Sequence, residues 1–284
     1  MSDERPQNWV FLGDSLTEGV GSSRVSYVTM MMDILRECES GKPAHEKRSI
    51  HEFRLRPEGY SRWVKFNIAG FWDRQTNAGG ESLWLWNLGC EGRIIETDAE
   101  WMPLIENLKP QKVFILRGCF ESVIRPAVLH SGNWPWWIPI AWRGYAAMDP
   151  RCYFSTSSLR RFKQRLIDCT KQMLRKKLLA ACRGGPLMQV DEIKFNLMKT
   201  VAWMKNLGSQ VYLLELPPIS EVHFPGSQVQ FQRVNTMLRE LAMDTGSVNI
   251  GFDLLQPDDF YLDGFHPNSQ GYLKMALSVL KLCN

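Results

Sequence analysis

Four short apolar runs punctuate the chain: Trp9-Val10-Phe11-Leu12, Leu83 to Leu88, Val113-Phe114-Ile115-Leu116 and Val211-Tyr212-Leu213-Leu214. Each is too short for a helix and ends in turn residues, at Gly13, Gly89, Gly118 and Pro217-Pro218. Continuous rather than alternating apolarity marks strands buried on both faces. Between them lie segments with helical spacing: Tyr27 to Cys38, a stretch after Gly92 through Leu108, Leu159 to Cys182, Ile193 to Leu207, Phe231 to Leu241 and Gln270 to Leu280. Val248-Asn249-Ile250 reads as a further short strand, and Ile50 to Trp72 as a strand pair or hairpin beside the main sheet. In the long segment from Leu159, the residues Phe162, Leu166, Ile167, Cys169, Met173 and Leu174 recur at helical spacing, which predicts one buried face. Strands alternating with helices predict an α/β fold, a three-layer α/β/α sandwich around a central parallel sheet.

No linker or internal repeat divides the chain, so residues 1–284 are read as one domain. The stretch from about 122 to 204 is an insertion or lid, with Trp134, Trp136, Trp137 and Trp142 among prolines and glycines. At 284 residues, 44% hydrophobic and 23% charged, the composition is that of a globular protein with a sizeable core. A net charge of +4 is too slight for a nucleic-acid partner, which usually shows a strong basic stripe. The helix from Leu159 is locally basic, with Arg160, Arg161, Lys163, Arg165, Lys171, Arg175, Lys176 and Lys177. Those cations read as a solvated face, with contact to anionic lipid or phosphate as the alternative. No membrane span is expected, because no apolar run approaches ~18 residues. The polar start lacks a secretory signal, and seven cysteines without a C-x-x-C pair argue against zinc or a full disulfide framework. Free thiols predict a cytoplasmic setting.

The chemistry gathers at the ends of the predicted strands, where functional groups of open α/β sheets collect. Gly13-Asp14-Ser15-Leu16 follows the first strand, and a glycine-bearing turn there can present the Ser15 hydroxyl to a substrate. A serine hydroxyl needs a base to become a nucleophile. Of five histidines, His266 alone has an acid three residues ahead in a turn, in Asp263-Gly264-Phe265-His266-Pro267. That spacing lets Asp263 orient the imidazole and leaves its other nitrogen to take a proton.

An early Gly-Asp-Ser-Leu paired with a late Asp-x-x-His resembles the GDSL/SGNH hydrolases. The resemblance covers about residues 9–40, 83–121 and 205–282. It implies a flavodoxin-like SGNH hydrolase fold and an esterase or lipase-like activity through a catalytic triad of Ser15, Asp263 and His266, with no metal and no cofactor. It further implies an oxyanion hole from the backbone amides of Ser15 and Gly92, the latter in Asn87-Leu88-Gly89-Cys90-Glu91-Gly92, with Gly89 as the fallback. Acyl esters, with O-acetyl esters of small molecules or glycans foremost, are the implied substrates.

One position departs from the family pattern. The third family block carries an asparagine whose side chain donates to the oxyanion, and here the block reads Gly118-Cys119-Phe120-Glu121. Phenylalanine donates no hydrogen bond, and loss of one such donor costs about 2.7–4 kcal/mol in the transition state. Asn133, in Ser131-Gly132-Asn133, is one candidate replacement donor, though nothing in its spacing demands it; the alternatives are a hole made by the amides of Ser15 and Gly92, or a low hydrolytic rate. Phe120, Trp134 and Trp137 are candidate substrate contacts, against a simpler role for the tryptophans in closing the core beneath a loop. Two rival readings stay open: an acyltransferase using the same triad, and a binding protein on the same fold that has lost turnover.

Overall fold

The computed structural model describes residues 7–20, 25–43, 46–55, 82–128, 134–143, 149–150 and 157–283. Strand β1 (Gln7–Gly13) lies in the middle of a six-stranded sheet. The other strands are β2 (Ser49–Arg54), β3 (Ser82–Gly89), β4 (Lys112–Leu116), β5 (Gln210–Leu214) and β6 (Val248–Ile250), in the order β2-β3-β1-β4-β5-β6. Every pairing is parallel. The unbroken apolar runs reflect this: Val10, Phe11 and Leu12 of β1 are fully buried, as strands covered on both faces must be.

One rung shows how the sheet is packed. Phe11, Phe114 and Tyr212 are register partners on β1, β4 and β5, and their rings stack at centroid distances of 4.6 Å. Tyr27 of α2 (Tyr27–Ser40) closes edge-on over Phe11 at 6.0 Å. Helix α2 packs against the last helix, α8 (Ser269–Lys281), on that side. On the other side α6 (Val190–Asn206) packs against α7 (Ser227–Thr245) and against a 3-10 segment, Ile95–Trp101, that leads into α3 (Met102–Leu108). Strand β4 runs through Arg117 and Gly118 into the single-turn helix α4 (Cys119–Ser122), which α7 also covers. The result is a three-layer α/β/α arrangement with a parallel sheet at its centre.

Two expectations need correction. Residues 49–54 form β2 within the main sheet, parallel to β3, rather than beside it; among the described residues β2 is the sheet's edge, and the rest of the predicted strand pair, in 56–81, lies outside the described part. The long helix α5 (Ser158–Cys182) does not bury the predicted apolar face. Of that face Phe162, Leu166, Cys169 and Met173 are exposed and only Ile167 and Leu174 are half-buried, while Lys171, Arg175 and Leu178 point inward. The cause is local chemistry. Arg175 and Arg125 both bind the carboxylate of Asp149, Arg175 Nη2 donates to the Ile124 carbonyl at 2.6 Å, and Gln172 donates to that of Val222 at 2.5 Å. The surface under α5 is thus a set of acceptors, and it selects the helix's cationic side. Burial alone would raise the Asp149 carboxyl, but the two guanidinium groups hold it below its ordinary value.

The segment 134–143 packs on the C-terminal half of α5, where Trp134, Trp142 and Leu174 surround buried Val128, Ile138 and Leu178. Among the described residues, Cys38, Cys119, Cys169, Cys182 and Cys283 are free thiols. No helix there is long and apolar enough to cross a membrane.

Candidate functional site

The sheet grows from β1 toward β3 on one side and β4 on the other, so the carboxyl end of β1 opens at the switch in strand order. Gly13 ends the strand because nothing larger fits: a Cβ there would lie 1.9 Å from Thr17 Oγ1 and 3.1 Å from the Leu116 carbonyl. Asp14 then caps the single-turn helix α1 (Ser15–Glu18), its Oδ1 accepting from the Leu16 amide at 3.0 Å. Ser15 is the first residue of that turn and is 7% exposed.

From the far end of the chain, the loop Tyr261–Pro267 brings His266 over Ser15. Ser15 Oγ lies 2.9 Å from His266 Nε2, and His266 Nδ1 lies 2.7 Å from Asp263 Oδ2. Asp263 Oδ1 also accepts from the backbone amides of Phe265, at 3.0 Å, and His266, at 3.1 Å. The carboxylate is therefore fixed at both oxygens. With Nδ1 donating to Asp263, Nε2 is left as the acceptor for the serine hydroxyl. Phe265 stands edge-on to the imidazole at 4.8 Å, holding the ring plane. Gly264, at φ +65°, lets the loop pass against Ser220, whose amide donates to the Gly264 carbonyl at 2.9 Å. The three residues singled out in the sequence are thus brought into one hydrogen-bonded line.

Asn87 ties β3 to the serine turn, its Nδ2 donating to the Thr17 carbonyl at 2.9 Å. Its Oδ1 accepts from the Gly89 amide at 3.0 Å, so that amide is already engaged. Gly89 is needed for close approach instead, since a Cβ there would lie 2.3 Å from the Glu18 amide nitrogen. The Cys90 amide donates to the Gly13 carbonyl at 3.1 Å, which fixes the turn containing Gly92 relative to the end of β1. Gly92 itself is exposed, at φ +69°, with open space where a Cβ would be.

Beneath this turn lies a buried charged network that no motif in the sequence marks. Arg117 pairs with Asp98 through Nε and Nη2 and donates from Nη1 to the Arg93 carbonyl at 3.1 Å. Glu121 Oε1 accepts from the Ile95 amide at 2.7 Å, while its Oε2 is buried without a partner. Both side chains grip the stretch that directly follows Gly92. Burial pushes the Glu121 carboxyl up to about 7, against the pull of Arg117. Burial likewise raises Asp14, countered by the Leu16 amide and by Arg117, and raises Asp98 despite its partner. The Cys119 thiol is pushed well up by burial, and its neighbouring carboxylates add to this. It is held as the protonated thiol, a poor nucleophile.

Phe120 is half-buried: its ring lies under the Arg125 guanidinium at 4.4 Å, and its carbonyl accepts from Arg125 Nη1 at 2.7 Å. Trp134 packs on the small cluster under segment 134–143, whereas Trp137 is 48% exposed. Asn133 lies outside the described residues. A cavity of about 410 Å³ sits behind the His266 loop, lined by Ile219, His223, Leu255, Phe260 and Leu262 among others; neither Ser15 nor His266 lines it.

No protein-family model matches the chain, and no curated protein matches it. Solved structures do. The acetylxylan esterase Axe2 from Geobacillus stearothermophilus superposes with a TM-score of 0.53 at 15% identity, over 97% of this chain and 93% of that one. A protein of Parabacteroides merdae described as GDSL-like lipase gives 0.51 at 13% identity, over 98% and 95%. LAE5, an alpha/beta hydrolase enzyme from the metagenome of Lake Arreo, gives 0.50 at 13% identity, over 98% and 96%. Across nearly its whole length the chain shares the fold of these solved structures.

Proposed function

We propose that the protein is a serine esterase that cleaves acyl esters through Ser15, His266 and Asp263. The observation that carries this reading is the unbroken line of contacts from Ser15 Oγ to His266 Nε2, 2.9 Å, and from His266 Nδ1 to Asp263 Oδ2, 2.7 Å. In the first half-reaction Ser15 Oγ attacks the ester carbonyl carbon as its proton passes to Nε2. Asp263 stabilises the imidazolium that forms. The tetrahedral oxyanion is held by the amides of Ser15 and Gly92. His266 then returns the proton to the leaving alkoxide, and the acyl group stays on Ser15. In the second half-reaction Nε2 takes a proton from water as the water oxygen attacks the acyl carbon, and the imidazolium then returns that proton to Ser15 Oγ as the acyl–Oγ bond breaks, releasing the acid and regenerating the serine.

With Phe120 where an asparagine donor is expected, the proposed oxyanion hole rests on the backbone amides of Ser15 and Gly92. The Arg117–Asp98 pair and Glu121 supply rigidity instead, by clamping residues 93–98 beside the Gly92 turn. A donor that does not need to reorganise is worth more in a water-poor site. Short acyl groups, O-acetyl esters of glycans foremost, are the proposed substrates, in keeping with the likeness to an acetylxylan esterase.

A fluorophosphonate probe and a panel of acyl esters, applied to wild type and Ser15→Ala, test the reading. Wild type is expected to be labelled and to turn over acetyl esters. Ser15→Ala is expected to lose labelling and at least about 10³-fold of the rate. Equal turnover by the two proteins would remove the mechanism.

A further inference from the structure

Helix α5 carries an apolar strip on the side opposite the one it buries. At 3.6 residues per turn, Leu159, Phe162, Leu166, Cys169 and Met173 fall within an arc of about 80°. The inward residues Lys171, Arg175 and Leu178 lie on the other side. The strip is open to solvent: Leu159 is 78% exposed, Phe162 60%, Leu166 54% and Met173 62%. Scattered exposed apolar residues need no explanation, but a continuous strip along four turns marks a contact surface. Its flanks are cationic, with Arg161, Arg165 and Lys176 on one side and Lys163 and Lys177 on the other, all exposed.

The charge decides the partner. Helix α5 exposes six cations, Arg160, Arg161, Lys163, Arg165, Lys176 and Lys177, against the single carboxylate of Asp168, a surplus still larger than the +4 of the whole chain. Pairing with a second copy through this strip would set two such helices face to face, and their like charges would repel. An anionic bilayer surface satisfies both halves of the pattern, taking the Leu, Phe and Met side chains into the headgroup boundary while the flanking cations meet the phosphates. Neighbouring exposed apolar residues extend the surface. Trp136 and Ile140 stand out from the segment that packs on α5, and Val222 lies on the loop that Gln172 holds.

We propose that the outer face of α5 docks the protein on an anionic lipid surface. Leu262, also exposed, lines a cleft with Arg161, Arg165 and Cys169 of α5 and directly precedes Asp263, so docking on this side sets the lipid near the loop that carries Asp263 and His266. The inference stands apart from the esterase reading, because it uses neither Ser15 nor turnover.

The test is co-sedimentation of the full chain with vesicles of phosphatidylcholine alone and of phosphatidylcholine mixed with phosphatidylserine. Binding is expected only with phosphatidylserine present, and is expected to weaken with salt. A cation at such a surface strengthens binding roughly fivefold, so Lys163→Gln/Lys177→Gln should weaken it roughly 25-fold. Phe162→Gln/Leu166→Gln should weaken it tenfold or more while circular dichroism stays unchanged, and Ser15→Ala should bind as wild type does. Absence of binding to either vesicle, equal binding to both, or variants that bind like wild type would overturn the proposal. A wild-type dimer that Phe162→Gln/Leu166→Gln converts to monomer would overturn it too, in favour of a second copy as the occupant.

Discussion

Replacing Asp263 by asparagine and, separately, by alanine separates orientation of His266 from support of its loop. Asp263 accepts three hydrogen bonds in a buried position, two from the amides of Phe265 and His266 on Oδ1 and one from His266 Nδ1 on Oδ2. Asparagine keeps an oxygen for the two amides but presents an NH2 group to Nδ1. The imidazole must then accept at Nδ1, which places its proton on Nε2, facing Ser15 Oγ. A protonated Nε2 cannot remove the serine proton, and in serine proteases this change costs about 10⁴-fold in kcat. That is about 5.4 kcal/mol in the barrier, at 1.36 kcal/mol per tenfold. Stability should fall little, since the loop's amides stay satisfied. Alanine leaves both amides without an acceptor, and each buried orphan costs about 1–3 kcal/mol. Steady-state hydrolysis of p-nitrophenyl acetate and urea unfolding measure the two quantities. Asp263→Asn is expected to fold like wild type with its rate nearly abolished, and Asp263→Ala to lose both rate and stability. An asparagine variant that unfolds normally and keeps its rate within tenfold of wild type would refute the orienting role.

Glu121→Gln tests the buried network. The folded carboxyl, at about 7 against an ordinary 4.5, holds its proton more tightly than the unfolded chain does. Its contribution to stability is therefore full below about pH 4.5, drains away as the pH rises to about 7, and is gone above that. The full loss is on the order of 3 kcal/mol. Glutamine keeps an acceptor for the Ile95 amide without the titrating group, so it should be the more stable protein at pH 8; urea unfolding at pH 5 and pH 8 reads the difference, and a wild-type loss unchanged in the variant would clear Glu121 of it. Gly89→Ala and Gly92→Ala should part company. The first drives a methyl to within 2.3 Å of the α1 backbone and should cost at least about 2 kcal/mol along with activity. The second meets only the penalty of a positive φ, about 1–2 kcal/mol, and keeps its amide, so its rate should stay within a few-fold of wild type in the same ester assay.

What could be read from the sequence was whatever depends on neighbours along the chain or on burial from both sides. The strands at 9–12, 83–88, 113–116 and 211–214 were legible because a parallel sheet covered by helices demands unbroken apolar runs, and few other structures do. Asp263 and His266 were legible because their contact spans three residues, within one turn. The Arg117–Asp98 and Glu121–Ile95 contacts join positions 19 and 26 residues apart, and no local pattern announces which charged residue at a strand end is buried. The error over α5 comes from a different limit. Periodicity reports that a helix has an apolar face, not what that face meets. Here the inward side meets carbonyl groups and the Asp149 carboxylate, which arginine satisfies and leucine does not. A helix bound to its own protein through cations has its apolar strip left over, and a strip of that length flanked by further cations is a surface still waiting for an anionic, partly apolar partner.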